Sequence, residues 1–234
     1  MARWHFQHNW LRWLGLLGFM IVLIAGCGST PAPAPTATIA AAPLPADWQR
    51  VELAELSLAL PPEWVRTAAE DLDVSDAVTE MAAQNPELQA LLDQGRTALG
   101  SGKVQLIAFD VTPERIDPSG FPTNLRIGQQ SFAEAVSLAA ISDANEQELR
   151  TTAGFSAVER AAVMLGEQPA TRLRSRLQIN NAVGAPMQLI LEQYLLLRGQ
   201  ELFIVTLTTP TGREQTYRAI FDQILATIRL KPAA

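Results

Sequence analysis

Four stretches in the last third of the chain, Ala157 to Leu165, Ala170 to Asn180, Pro186 to Arg198 and Glu201 to Thr209, are joined only by "GEQP", "NAVGA" and "RGQ". Each is rich in β-branched and aliphatic residues, and connections this short can join only antiparallel neighbours, so the spacing predicts a four-stranded meander. Beyond it, Thr211 and Glu214 form a capping-box pattern, and Tyr217, Ile220, Phe221, Ile224, Leu225 and Ile228 recur at helical spacing. One continuous apolar stripe on a helix has to lie on something apolar, and the meander is what the sequence offers. Helices segregated against a mainly antiparallel sheet give an α+β fold.

Upstream, Val51 to Leu60 reads as a strand ending at Pro61 and Pro62, which cannot continue a ladder. Val74 to Ala83 and Pro86 to Leu99 read as helices, the second with Asn85 as N-cap, Pro86 at its first position and Gly100 past its end. Lys103 to Val111 and Asn124 to Gln130 read as strands. A helix from Ser131 to about Leu149 begins with a second capping-box pattern, Ser131 and Glu134, and Ser142 with Asp143 marks a place where it would break. The sequence thus divides into an N-terminal appendage and one α+β domain over residues 47–231, with a tail at 232–234.

The appendage has its own logic. Residues 2–13 carry Arg3 and Arg12 and no acidic residue, and Leu14 to Ala25 is a charge-free apolar run of 12. A membrane span needs about 20 such residues, whereas a secretory signal peptide needs roughly 7 to 15. Leu23 to Cys27, "LIAGC", closes the run and holds the single cysteine of 234 residues. This stretch resembles the bacterial lipobox, which implies removal of residues 1–26 and lipidation of Cys27, with the chain held at the extracytoplasmic face of the membrane. Two or three acyl chains, at about 0.8 kcal/mol per buried CH₂, hold a protein durably where one does not. Residues 27–46, with Pro31, Pro33, Pro35, Pro43 and Pro45 among Ala, Thr and Ser, read as an extended, semi-rigid tether.

Cleavage there would remove both histidines, His5 and His8, and commit the only thiol. Zinc, haem and Ser-His chemistry would then be out of reach, and no cofactor is expected. Without Arg3 and Arg12 the 18 basic residues fall to 16 against 24 acidic ones, a side-chain sum of −8, which disfavours a nucleic-acid partner. "GSGKV" at Gly100 to Val104 lacks the first Gly and the final Ser or Thr of a phosphate loop and runs from helix into strand, so it reads as a helix stop. "GFSAV" at Gly154 to Val158 lacks the closing Gly of a nucleophile elbow. The acidic run Glu70, Asp71, Asp73 and Asp76 reads as a helix start, with calcium binding or paired acid and base as its functional alternative.

One exposed pattern stands out. Arg172, Arg174 and Arg176 occupy every second position of a strand and share a side, with Leu173 and Leu177 on the other. With the turn centred near Val183, Glu192 and Gln188 fall roughly opposite. The row is either a cross-strand ion-paired face or a basic stripe for an acidic partner, lipid head groups or a carboxylated ligand. Trp64 and Trp48 read as core and rim packing.

The segments "LSLALPPEWV" (Leu56 to Val65) and "GEQPATRLRSRL…LFIVTLTTP…YRAIFDQILATIRL" resemble the PsbP-like α/β/α sandwich superfamily, whose members include LpqN- and DcrB-type lipoproteins. The carriers are Pro61, Pro62 and Trp64 in a Pro-x-x-Trp turn and the closing amphipathic helix. The resemblance implies a binding or assembly module with a protein or small-ligand partner and no catalytic residues. A carboxylate-dependent hydrolase or metal-binding enzyme at the cell surface is the competing expectation.

Overall fold

The computed structural model describes residues 37–39, 45–68, 82–181 and 183–232. The signal segment, the lipobox with Cys27, most of the tether, the acidic run from Glu70 to Asp76 and the helix expected from Val74, save its helical end at residues 82–83, lie outside them.

An eight-stranded sheet has the order β1-β7-β8-β9-β10-β6-β5-β4. Its strands are β1 (Ala37–Ile39), β4 (Trp64–Ala68), β5 (Val104–Asp110), β6 (Asn124–Ser131), β7 (Phe155–Leu165), β8 (Gln168–Asn180), β9 (Pro186–Arg198) and β10 (Glu201–Pro210). The expected meander β7 to β10 is present with its ends within two residues of the sequence reading. Its tightest turns place Gly166 and Gly199 at φ +60° and +61°, which a two-residue antiparallel connection requires and glycine adopts without strain. All pairings are antiparallel except that of β1 with β7. Three residues of the segment expected to be a tether therefore form a parallel edge strand.

A small sheet, β11-β3-β2, is built from β2 (Gln49–Glu52), β3 (Leu56–Leu60) and β11 (Arg229–Leu230). The single strand expected over Val51 to Leu60 is thus a hairpin. Apolar alternation slips by one residue between Leu53 and Leu56, and the Leu53 amide donates to the Leu56 carbonyl at 2.9 Å, closing the turn.

Three helices of the described residues complete the layers: α1 (Pro86–Gly100), α2 (Leu138–Thr151) and α3 (Glu214–Thr227). Helix α3 and the small sheet cover one face of the large sheet, where Leu56, Leu58, Trp64, Leu106, Leu125, Tyr194, Val205, Tyr217, Phe221 and Ile224 form the main core. Trp64 is 3% exposed and Trp48 packs partly buried at the core's edge, as read from the sequence. Helices α1 and α2 cover the other face, α1 over Ile107 and Phe109 of β5, α2 over Val158, Leu173 and Leu195. The architecture is the expected α+β sandwich, a mainly antiparallel sheet packed by helices.

Helix α1 is capped as the sequence predicts: the Asn85 side chain accepts from the amides of Glu87 and Leu88, and its amide group donates to the Gly120 carbonyl at 2.9 Å. Gly100 is the last helical residue rather than the first beyond, and Ser101 takes the C-cap. Asn85→Ala is expected to cost about 1 kcal/mol, read as a lower midpoint in urea unfolding with an unchanged m-value.

Both capping boxes fail for the same reason, a stronger distant partner. Helix α2 begins at Leu138, capped by Ser137, while Ser131 ends β6 and donates to Glu201 at 2.8 Å. Ser142 does not break the helix, because its hydroxyl donates back to the Leu138 carbonyl at 2.7 Å. At α3, Thr211 donates to the Gln188 carbonyl and Glu214 turns to Arg174.

A buried polar knot fastens α3 to the sheet edge. Asp110, whose side chain is fully buried, accepts from the Tyr217 hydroxyl at 2.7 Å, the Thr112 amide at 2.9 Å and Arg115 Nη1 at 3.3 Å. Arg115 also reaches Glu63 at 2.6 Å. Burial works against the Arg115 charge, and Glu63 with Asp110 more than offsets it, so its pKa is raised.

Candidate functional site

Strand β8 displays Arg172, Arg174 and Arg176 on the face that α3 covers, and Leu173 and Leu177 on the face beneath α2. The register matches the sequence reading at its centre: Asn180 faces Pro186 around the turn and Arg174 faces Glu192. Gln188 lies opposite Gln178, beyond the arginine row.

The row is divided. Arg174 is held on both sides, with Nη2 2.6 Å from Glu214 Oε1 and Nε 3.2 Å from Glu192 Oε1, its side chain 18% exposed. Burial opposes its charge, and Glu214, Glu192 and Glu159 outweigh that penalty, so its pKa is raised. The second oxygen of Glu192 accepts from the Tyr194 hydroxyl at 2.9 Å. Burial first, then Glu192, pushes the Tyr194 phenol up, so it stays a donor. Glu214 also accepts from Arg218 at 3.0 Å. Arg172 and Arg176, by contrast, make no side-chain hydrogen bond or ion pair among the described residues, and Arg176 is exposed.

Arg172 lines a cleft of about 400 Å³ between the sheet, α3 and β1, with Thr38 and Ile39 on one side and Tyr194, Phe221 and Asp222 on the other. Asp222 has a raised pKa, from burial first and then from Glu192. The α3 residues of this site escaped the sequence reading. Their signal was present: Glu214, Arg218 and Asp222 recur every four residues, which puts them on one side of a helix. Thr38 and Ile39 carried no such signal inside a proline-rich segment.

Among the described residues no group of three His, Cys, Asp or Glu is placed to hold a metal, and no helix is long and apolar enough to cross a membrane. Ser156 of "GFSAV" lies within β7, beside a bulge at which Ala157 adopts φ +49°. The "GSGKV" segment leads from α1 into β5, so its amides do not gather at a helix start.

No family model matches the sequence. No curated protein matches it either. Among solved structures, the chain is similar to cyanobacterial PsbP (CyanoP) from Synechocystis, at 13% identity and a TM-score of 0.51, over 88% of this chain and 99% of that one. It is also similar to LpqN of Mycobacterium tuberculosis, described as involved in cell envelope biogenesis, at 14% identity and a TM-score of 0.46, covering 79% and 91% of the two chains. A third is the Saccharomyces cerevisiae Ran-binding protein Mog1p, at 11% identity and a TM-score of 0.41, covering 78% and 95%. At 13% identity the likeness to CyanoP is one of fold, and the fold is PsbP-like, as the Pro-x-x-Trp turn and closing helix led us to expect.

Proposed function

We propose that this protein is a bacterial lipoprotein, anchored through acyl chains on Cys27 at the extracytoplasmic face, whose PsbP-like domain is a non-enzymatic binding or assembly module for an acidic protein or small ligand. The observation that carries the binding reading is the division of the arginine row. Arg174 is consumed by Glu192 and Glu214 and holds the cleft together. That leaves Arg172 in the cleft and Arg176 beside it with guanidinium forks to offer an oxyanion. The anchor reading rests on the lipobox at the end of the apolar run. Strand β1 starts at Ala37, ten residues past Cys27, and its Thr38 and Ile39 line the cleft.

A photo-crosslinking residue at position 178, next to the row, tests the partner in intact cells. Wild-type protein is expected to give a defined adduct that Arg172→Glu with Arg176→Glu removes while the melting temperature stays within about 2 °C, since exposed charges contribute little to stability. An adduct indifferent to the double reversal would overturn the assignment of the site. The anchor is read separately: intact mass should show acyl chains on Cys27, Cys27→Ser should leave an unlipidated protein, uncleaved or released, and wild-type protein recovered without lipid would refute the anchor.

A further inference from the structure

The opposite face of the sheet carries a second row that serves neither the cleft nor the core. Across five neighbouring strands, Ile107 of β5, Arg126 of β6, Thr206 of β10, Gln193 of β9 and Leu173 of β8 stand directly opposite one another in register. Directly opposed residues share a face. The two ends of the row are apolar and covered: Ile107 packs under α1 with Leu88, Leu92 and Leu99, and Leu173 packs under α2 with Ile141 and Leu149. The three middle positions are polar and lie in the seam between the helices.

None of the three has a side-chain partner among the described residues. The Thr206 hydroxyl is buried with no hydrogen bond, on a residue 7% exposed. Gln193 is 4% exposed, and neither it nor Arg126 makes a side-chain hydrogen bond or ion pair among the described residues. Arg126 is partly buried, and burial alone acts on it, lowering its pKa with no acidic neighbour to offset the penalty. Gly128, two positions along the same strand face, adds no side chain that would fill the seam. Buried polar groups are normally satisfied, and an inward arginine normally sits against a carboxylate. One buried hydroxyl without a hydrogen bond, flanked by a guanidinium and an amide that no side chain of the described residues engages, puts three kinds of donor within about 10 Å, two strand spacings, and makes a place for a negatively charged oxygen group.

We propose that the seam between α1 and α2 is a binding site for a small oxyanion, a carboxylate or phosphate group, gripped by Arg126 with the Thr206 hydroxyl and the Gln193 amide beside it. The site lies on the other face from the Arg172 cleft and stands independently of the function proposed for that cleft.

The test titrates the full-length purified protein with inorganic phosphate and, separately, with acetate, at constant ionic strength so that general screening is held fixed. At least one anion should bind and raise the melting temperature. Arg126→Met should weaken that affinity at least tenfold, and Arg66→Met, at an exposed position of the edge strand β4, should leave it unchanged. Thr206→Val should weaken anion affinity severalfold while raising the melting temperature of the anion-free protein, because it removes an unsatisfied buried hydroxyl. A merely structural Thr206 would do the reverse. Phosphate binding alone would assign phosphate esters, head groups included, and acetate binding alone would assign carboxylates. Wild-type protein that binds neither anion, or that loses binding equally in Arg126→Met and Arg66→Met, would overturn the proposal. Should Arg126→Met not fold, Thr206→Val and Arg126→Lys decide it.

Discussion

Asp110→Ala is expected to lower the melting temperature by about 10 °C, from a loss of about 3 to 4 kcal/mol and about 2 to 4 °C per kcal/mol for a domain of this size. Asp110 ends a strand whose last five residues are buried, and its carboxylate gathers a phenol from α3 and a backbone amide and a guanidinium from the turn after the strand. Alanine takes the acceptor from the Tyr217 hydroxyl, on a residue with no exposed surface that is left with Thr123 alone, and from the Thr112 amide. Each buried donor left unpaired costs about 1 to 3 kcal/mol. The lost Arg115 contact adds little, because that guanidinium is 34% exposed and keeps Glu63. Tyr217→Phe should cost less than Asp110→Ala, and the double variant should fall short of the sum by about 1 kcal/mol or more, since both remove the same bond. Circular-dichroism melts of the four proteins measure this. An Asp110→Ala melt within about 2 °C of wild type would show that the knot is not a determinant of stability.

That knot was invisible in the sequence, and the reason is general. The meander could be read because its information is local: alternation of period two, turn residues, and register that follows from the turn centre, which is how Arg174 and Glu192 could be paired in advance. Asp110 and Tyr217 are 107 residues apart, and nothing between them encodes the meeting. The failed capping boxes show the same limit from the other side. Ser131 with Glu134 and Thr211 with Glu214 satisfied the local pattern, worth about 1 kcal/mol, and lost to Glu201 and Arg174, which only the folded sheet brings near. The hairpin at Leu53 to Glu55 was legible in principle, through the slip in apolar phase before Leu56. For the candidate sites the sequence marked the arginine row. It did not mark the carboxylates and aromatic residues of α3 that decide which arginine remains available, nor the polar seam, where Arg126 is one unremarkable letter in "NLRIGQQ".

Beside the cleft, helix α3 meets the sheet through two kinds of contact, and their sizes decide which one matters there. The ionic contact, Arg174 to Glu214, joins side chains 18% and 28% exposed and is worth about 1 kcal/mol or less. The apolar contact centres on Phe221, 7% exposed, whose ring lies 5.7 Å from Tyr217 and 6.5 Å from Trp64, edge-on to the latter. Truncating a buried phenylalanine costs about 3 to 5 kcal/mol. Because Phe221 also lines the cleft, water can enter the space it leaves, which places Phe221→Ala near the lower end, about 3 kcal/mol. A fall of about 6 to 12 °C in melting temperature is expected, with red-shifted tryptophan emission as Trp64 loses its cover. Glu214→Gln should shift the melt by about 2 °C or less on the same scale. The order is diagnostic: were Glu214→Gln the more damaging of the two, the ion pair would fasten the helix, and Arg174 could not be treated as a contact that merely withdraws one arginine from the row. With Phe221 as the fastener, the charges of the cleft can be altered one at a time in a domain that stays folded.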